Sequence, residues 1–219
     1  MSSRTTDWRA ASGCTVLTAS RRQLLAMAAL GTFPLRVQAA PAEDLTALNQ
    51  KLAMYGREQK LLHARLAFDG VARVEPLSGR IVETRLHSGG RPMLVHLWSV
   101  NCPPCVRELP ALRQVMAHLR METGLRVVFI SEDLPSALTS FLKAHGAGLP
   151  EVEHWLSGPS SGLRIDLHDS GQPMTLLIDA NLVVRQAFVG LVSERRNELF
   201  AGASRLLRSL TAHPHARAS

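Results

Sequence analysis

The stretch MLVHLWSVNCPPCVRELP, Met93 to Pro110, decides how the rest of the chain is read. From Met93 to Trp98 it is apolar except for His96, which suits a buried strand. A short turn follows, and Cys102-Pro103-Pro104-Cys105 then opens an amphipathic helical pattern. The first turn of a helix presents free N–H groups and positive dipole potential, which favour a thiolate over a thiol. Cys102 is therefore the candidate exposed nucleophile. Cys105, one turn in, is the candidate resolving thiol, able to cleave a mixed disulfide formed on Cys102. Pro103 and Pro104 fit this location, where a fixed φ and a missing N–H are tolerated. They also withhold two donors from the Cys102 thiolate, which biases the pair towards giving electrons away.

Two cysteines at this spacing can equally be half of a zinc site. Here the other half is missing. The third cysteine, Cys14, lies in a segment expected to be removed, and no pair of histidines has the spacing that would complete a site. No metal is expected, and the cofactor is the redox-active pair itself.

The stretch, with Trp98 four residues before the first cysteine, Glu108 three after Cys105 and Pro110 five after it, resembles the active-site segment of thioredoxin-fold proteins. It is most similar to the TlpA/ResA-like thiol-disulfide oxidoreductases. A second match is Gly171-Gln-Pro-Met-Thr-Leu-Leu-Ile-Asp179, where that family carries a cis-proline loop leading into a strand. The resemblance covers residues 70–210 and implies an α/β fold, a central mixed β-sheet flanked by helices, with an N-terminal helix and hairpin added. It also implies substrate-side roles for Pro173, for Gln172 before it (often Thr in the family) and for Trp98, which packs beneath the loop. Read without the family, Pro173 is an ordinary turn proline ahead of a strand. Pro110 is a structural kink the family shares.

Glu108 shares a helix face with Cys105, so a carboxylate there can exchange a proton with the thiols. It is otherwise a carboxylate near a helix N-terminus, favoured by the dipole. His96 stands where thioredoxins carry a buried Asp and the family often carries Asn. It is read either as a proton acceptor for the resolving thiol or as an inert core histidine bonded to backbone. Asn101 belongs at the rim.

Outward to the N-terminus, residues 1–39 read as a targeting segment. Ser20-Arg-Arg-Gln-Leu-Leu25 is a twin-arginine pattern, Leu24 to Leu35 is moderately apolar, and Val37-Gln-Ala39 supplies small residues for cleavage. The apolar run is too short and too interrupted for a spanning helix. The protein is expected in the periplasm, exported by this signal and either released or anchored by it. The full chain has 25 basic and 18 acidic residues, a net +7. Residues 1–39 hold five basic and one acidic, which leaves 20 minus 17, or +3, for the rest. That balance, without a concentrated basic face, excludes nucleic acid as a partner. A lone Cys-x-x-Cys in an oxidising compartment is most simply a working pair.

Residues 40–69 form an N-terminal helical extension. Leu45, Leu48, Leu52, Tyr55, Leu62 and Leu66 recur at near-helical spacing, interrupted by Gly56, and should pack on the side of the domain; a partner-docking helix is the alternative. Val71–Glu75 and Arg80–Leu86 read as a hairpin. Leu125–Ser131 reads as a buried parallel strand and Leu134–His145 as a crossover helix. Gly146–Asp169 reads as irregular, with Leu163–Leu167 a short apolar stretch. Met174–Ile178 and Leu182–Val189 form an antiparallel hairpin about Asp179-Ala-Asn181, and Glu194–Leu210 a terminal amphipathic helix. Residues 211–219 are a tail whose His213 and His215 make a poor metal site.

The function expected on these grounds is reduction of protein disulfides. Cys102 attacks a partner's disulfide near Pro173, Cys105 releases the reduced partner, and a membrane thiol electron donor restores the dithiol. The resemblance implies protein substrates with cysteine pairs, as in cytochrome c or copper-protein assembly, and peripheral or no membrane contact. Disulfide formation or isomerisation, and Cu(I) carriage between the two thiolates, are the alternatives. A peroxidase has less support, with no separate cysteine to serve it.

Overall fold

The computed structural model describes Ala42–Thr211, apart from residues 76–77, 83, 85, 146–148, 159–160 and 164–170. The targeting segment, most of the Leu163–Leu167 stretch and the tail beyond Thr211 lie outside the described residues. The elements are α1 (Ala42–Leu61), β1 (Val71–Val74), β2 (Ile81–Val82), β3 (Met93–Trp98), α2 (Pro103–Thr123), β4 (Arg126–Ser131) and α3 (Pro135–His145). They continue with β5 (Glu153–Ser157), β6 (Met174–Ile178), β7 (Val184–Val189), a 3₁₀ turn (Val192–Arg195) and α4 (Arg196–Thr211).

One seven-stranded sheet runs β2-β1-β5-β4-β3-β6-β7. β3 pairs parallel with β4 and antiparallel with β6, so the expected mixed sheet flanked by helices is present. All six residues of β3 are buried, because helices or connecting segments cover both faces. The strand period then separates two cores. Leu94 and Trp98 join Leu112 and Met116 of α2, Leu138 of α3 and Leu199 of α4, while Met93, Val95 and Leu97 join Leu61, Leu66 and Phe68.

Two sequence expectations are corrected. The segment read as irregular contains β5, which pairs parallel with β4 and antiparallel with β1 and so ties the N-terminal hairpin into the sheet. Its sequence, Glu-His-Trp-Leu-Ser, is short and polar at both ends, which hides the strand. The second correction concerns α1. It is a single helix that runs through Gly56 and packs on β7. Its apolar stripe is not what packs: Leu45, Leu48, Leu52 and Tyr55 are all more than half exposed. The helix is held instead through Leu61, Met54 and the buried carboxylate of Glu58, which accepts the Val189 N–H at 2.9 Å.

The hairpin β1–β2 forms with only two residues in β2. β6 and β7 pair antiparallel as expected. Gly124 ends α2 at φ 63°, a left-handed conformation that favours glycine, and its N–H closes on the Arg120 carbonyl at 2.8 Å. Pro110 lies inside α2, which continues past it. None of the described helices is long and apolar enough to cross a membrane.

Candidate active site

β3 delivers the chain to the N-terminus of α2, where Cys102 is the N-cap and Pro103 and Pro104 fill the first two helical positions. The two prolines carry no N–H, so the first donor the helix offers is that of Cys105. It donates to Cys102 Sγ at 3.2 Å. The cysteines are joined as a disulfide, with Cα atoms 5.3 Å apart. Cys102 is half-buried and Cys105 is fully buried in the core. Cys102 is therefore the more reachable of the two sulfurs.

The turn before Cys102 is built around Asp133. Its carboxylate accepts from the Ser99 hydroxyl at 2.6 Å, the Val100 N–H at 2.8 Å, the Asn101 side-chain amide at 3.1 Å and the Ser131 hydroxyl at 2.5 Å. Sequence reasoning missed this residue. The available cue was an Asp between a buried strand end, Ser131, and a helix start at Pro135, a place where a carboxylate accepts local donors.

The Gln172–Pro173 peptide bond is cis. Because Met174 pairs with Leu97, the Pro173 loop stands level with the end of β3, where the chain leaves for Cys102. Gln172 Nε2 donates to Glu132 at 2.5 Å, and the Gly190 N–H takes up the Pro173 carbonyl at 2.8 Å. Gln172, Asn101, Glu132 and the exposed Leu134 line one open cleft of about 520 Å³. Trp98, by contrast, is buried and packs edge-on against Phe141 with ring centroids 5.5 Å apart. It supports the turn from beneath and presents no face to a substrate, which corrects its placing among the substrate-side residues.

Glu108 is 4% exposed. Oε1 accepts the Ser193 N–H at 2.7 Å, and Oε2 is buried with no hydrogen-bond partner. Burial pushes the carboxyl above the ordinary carboxylate range. The Ser193 and Val192 groups pull it back only in part, and the nearby Glu194 charge adds to the rise.

His96 is fully buried on β3. Its Nδ1 lies 2.9 Å from the Thr175 hydroxyl, Nε2 has no partner, and the ring sits 4.6 Å from that of Phe129. The expected backbone hydrogen bond is replaced by one to a side chain. Burial lowers its pKa to about 3, so the ring is neutral. A second histidine escaped sequence reasoning. His154 on β5 is 3% exposed, has an unpartnered Nδ1 and is lowered to about 4, chiefly by burial. Strand register sets Val74, His154, Phe129, His96, Thr175 and Phe188 in one row across six strands. Its signal was the alternation of β5, unreadable until the strand itself was recognised. Among the described residues no group of three or more His, Cys, Asp or Glu could hold a metal ion.

Comparison with known proteins bears on this geometry. The model of the AhpC/TSA family matches residues 74–198. The chain is 32% identical over 127 residues to the thiol:disulfide interchange protein DsbE of Escherichia coli (strain K12), an alignment covering 56% of this chain and 64% of DsbE. It is 25% identical over 130 residues to the thiol-disulfide oxidoreductase ResA of Halalkalibacterium halodurans, covering 58% of this chain and 69% of ResA. The chain thus spans just under two thirds of the DsbE length. Among solved structures, a candidate thiol:disulfide interchange protein DsbE from Chlorobium tepidum superposes with TM-score 0.51 at 20% identity, over 67% of this chain and 99% of that one. The shared fold is the expected thioredoxin-like one.

Proposed function

Because the chain belongs to the AhpC/TSA family, we propose that it is a thiol-disulfide oxidoreductase of the DsbE/ResA type, working through Cys102 and Cys105. The observation that carries this is the cysteine pair itself: a disulfide at a helix N-terminus with one sulfur reachable and the other buried. In the reductive direction the Cys102 thiolate attacks a partner disulfide. A Cys102–partner bond forms and one partner sulfur leaves as a thiolate. The Cys105 thiolate then attacks Cys102 Sγ, closing the 102–105 disulfide and releasing the second partner thiolate. Two electrons pass to the partner, and the protons lost from the two thiols end on its two sulfurs. A thiol donor reverses the closure for the next cycle.

Cys105 needs a proton acceptor as it turns nucleophilic, and Glu108, one turn further along the same helix face, fills that role. Burial raises its carboxyl above the ordinary carboxylate range, which makes it a better proton acceptor than an exposed glutamate. His96 is the weaker acceptor. An imidazole lowered to about 3 resists becoming a cation in that surrounding, so it serves as packing.

The reductive direction rests on the two prolines, which leave only the Cys105 N–H to stabilise a Cys102 thiolate at the first turn. Protein disulfides are the substrates, docked in the cleft between Asn101 and Gln172 beside Pro173. From the resemblance of residues 93–110 and 171–179 to TlpA/ResA-like proteins, the proposal extends to a periplasmic setting, a membrane thiol donor and cytochrome c or copper-protein assembly as the process served. Cys105→Ser tests the reading. It should accumulate a covalent, dithiothreitol-reversible complex with a disulfide-bonded protein substrate, whereas Cys102→Ser should accumulate none. Equal trapping by both variants, or none by either, rejects the mechanism.

A further inference from the structure

The donors that restrain Glu108 sit on the 3₁₀ turn Val192–Arg195, and that turn is fastened at its far end by Arg195. The Arg195 guanidinium pairs through Nη1 with Glu58 of α1 and through Nε and Nη2 with Glu198 of α4. Its Cζ lies over the Phe188 ring of β7, 4.9 Å from the ring centroid. Glu58 is 5% exposed, and the oxygen that takes Arg195 also takes the Val189 N–H. One buried carboxylate therefore joins the end of β7 to the turn. From there two residues of backbone reach Ser193, whose N–H holds Glu108 at 2.7 Å.

Glu58 lies N-terminal to residues 74–198, the part of the chain matched by the family model. The apolar stripe Leu45, Leu48, Leu52 and Tyr55 is more than half exposed, and the buried Glu58 anchors α1 through a hydrogen bond from the Val189 N–H. A buried carboxylate is costly unless it is paired and hydrogen-bonded, so its position must be tightly held. We infer that Glu58 and Arg195 are positioning residues that hold the Ser193 N–H against Glu108, so that the helix α1 governs proton exchange at the Cys102–Cys105 pair. The inference rests on the proposed role of Glu108.

The direction follows from hydrogen-bond chemistry. The Ser193 N–H stabilises the ionised carboxylate. If the clamp loosens, that donor withdraws, Glu108 holds its proton to higher pH, and Cys105 loses its acceptor over the corresponding range. The elements packed about Glu108 carry other titratable or charged groups. On its own helix there is the cysteine pair, and on the turn there are Glu194 and Arg195. On α4 there is Glu198, which is already paired with Arg195, and on the sheet face under α2 the neutral His96. Of these, only the turn carries a hydrogen-bond donor to the carboxylate.

The test measures the rate at which the reduced full chain reduces oxidised glutathione, as a function of pH. Wild type, Glu58→Gln, Arg195→Lys and Glu108→Gln are compared, together with each clamp variant combined with Glu108→Gln. Glu58→Gln should move the rising limb to higher pH and slow the rate about three- to tenfold on that limb. Arg195→Lys keeps the charge but loses the planar fork, and should move the limb less. In the Glu108→Gln background neither clamp variant should shift the profile further. An unshifted profile in both folded clamp variants, checked by thermal melting, overturns the inference while leaving the role of Glu108 intact. A shift of equal size with and without Glu108 also overturns it. If Glu108→Gln itself leaves the profile unchanged, the underlying reading fails and the inference falls with it.

Discussion

Two buried acid–base regions lie on the α2 side of the sheet, and the same physics does opposite things to them. On α2, Glu108 is a carboxyl out of water with one donor on one oxygen and none on the other. In the sheet, His154 and His96 flank Phe129 in a single row, each with one ring nitrogen unpartnered. Burial penalises the charged form in both places. For a carboxyl that means a rise, towards the pH at which thiols exchange protons. For an imidazole it means a fall, to about 3 and about 4, away from that range. The low polarity that raises the Glu108 carboxyl therefore lowers both histidines. Under the proposed mechanism, the sign of the shift, and not burial alone, is what separates Glu108 from the two histidines.

The largest expected effect sharpens the contrast through stability. The folded-state pKa values of the two imidazoles lie below the unfolded value of 6.5. The stability they confer as neutral rings is complete above 6.5 and is lost as pH falls through the window down to about 4 and about 3. Glu108 has the opposite sign, with stability present below the ordinary carboxylate value and lost as pH rises through its raised one. Urea unfolding of the oxidised protein should show a loss on the order of 5 kcal/mol between roughly pH 7 and 4.5 from the histidines. The double variant His96→Leu, His154→Leu should remove most of that slope. A slope unchanged in the double variant would break the comparison.

Next in size is Glu108→Gln, expected to slow reduction of oxidised glutathione about 100-fold near neutral pH, the lower end of what a positioned acid–base group contributes. Asp133→Ala should cost about 2 kcal/mol in the same urea assay, because four donors around the turn before Cys102 lose their shared acceptor. This third region separates loop support from proton chemistry, since the pH midpoint of exchange should stay where it was. The smallest effect is His96→Leu on the exchange rate, within about threefold of wild type if the ring is only packing. A drop as large as that of Glu108→Gln would make His96 the acceptor instead.

Much of this molecule could be read in the chain. β3, α2 with its Gly124 stop, β4 and the β6–β7 hairpin have strong local periodicity and clear breakers, and the Cys102–Cys105 pair needs only its spacing. The cis bond at Pro173 followed from family resemblance rather than from local sequence. What stayed hidden was non-local. β5 is five residues long, and its identity as a strand depends on β4 and β1 on either side. Without β5, His154 could not be placed beside Phe129. Asp133 acts through partners more than thirty residues upstream, as well as Ser131 two residues away. In α1 the apolar pattern pointed to the wrong face, because docking runs through Glu58 to a residue 137 positions later.

The proposed difference is that burial sets Glu108 apart as the proton-exchanging group while leaving His96 and His154 inert. It is tested most directly by a nuclear magnetic resonance titration of the oxidised protein, following the Glu108 side-chain carboxyl carbon and the two imidazoles together. Glu108 should titrate above the ordinary glutamate value of about 4.3, while neither imidazole should gain a proton between roughly pH 5 and 8. A Glu108 midpoint at or below about 4.3, or an imidazole titrating within that interval, would contradict it.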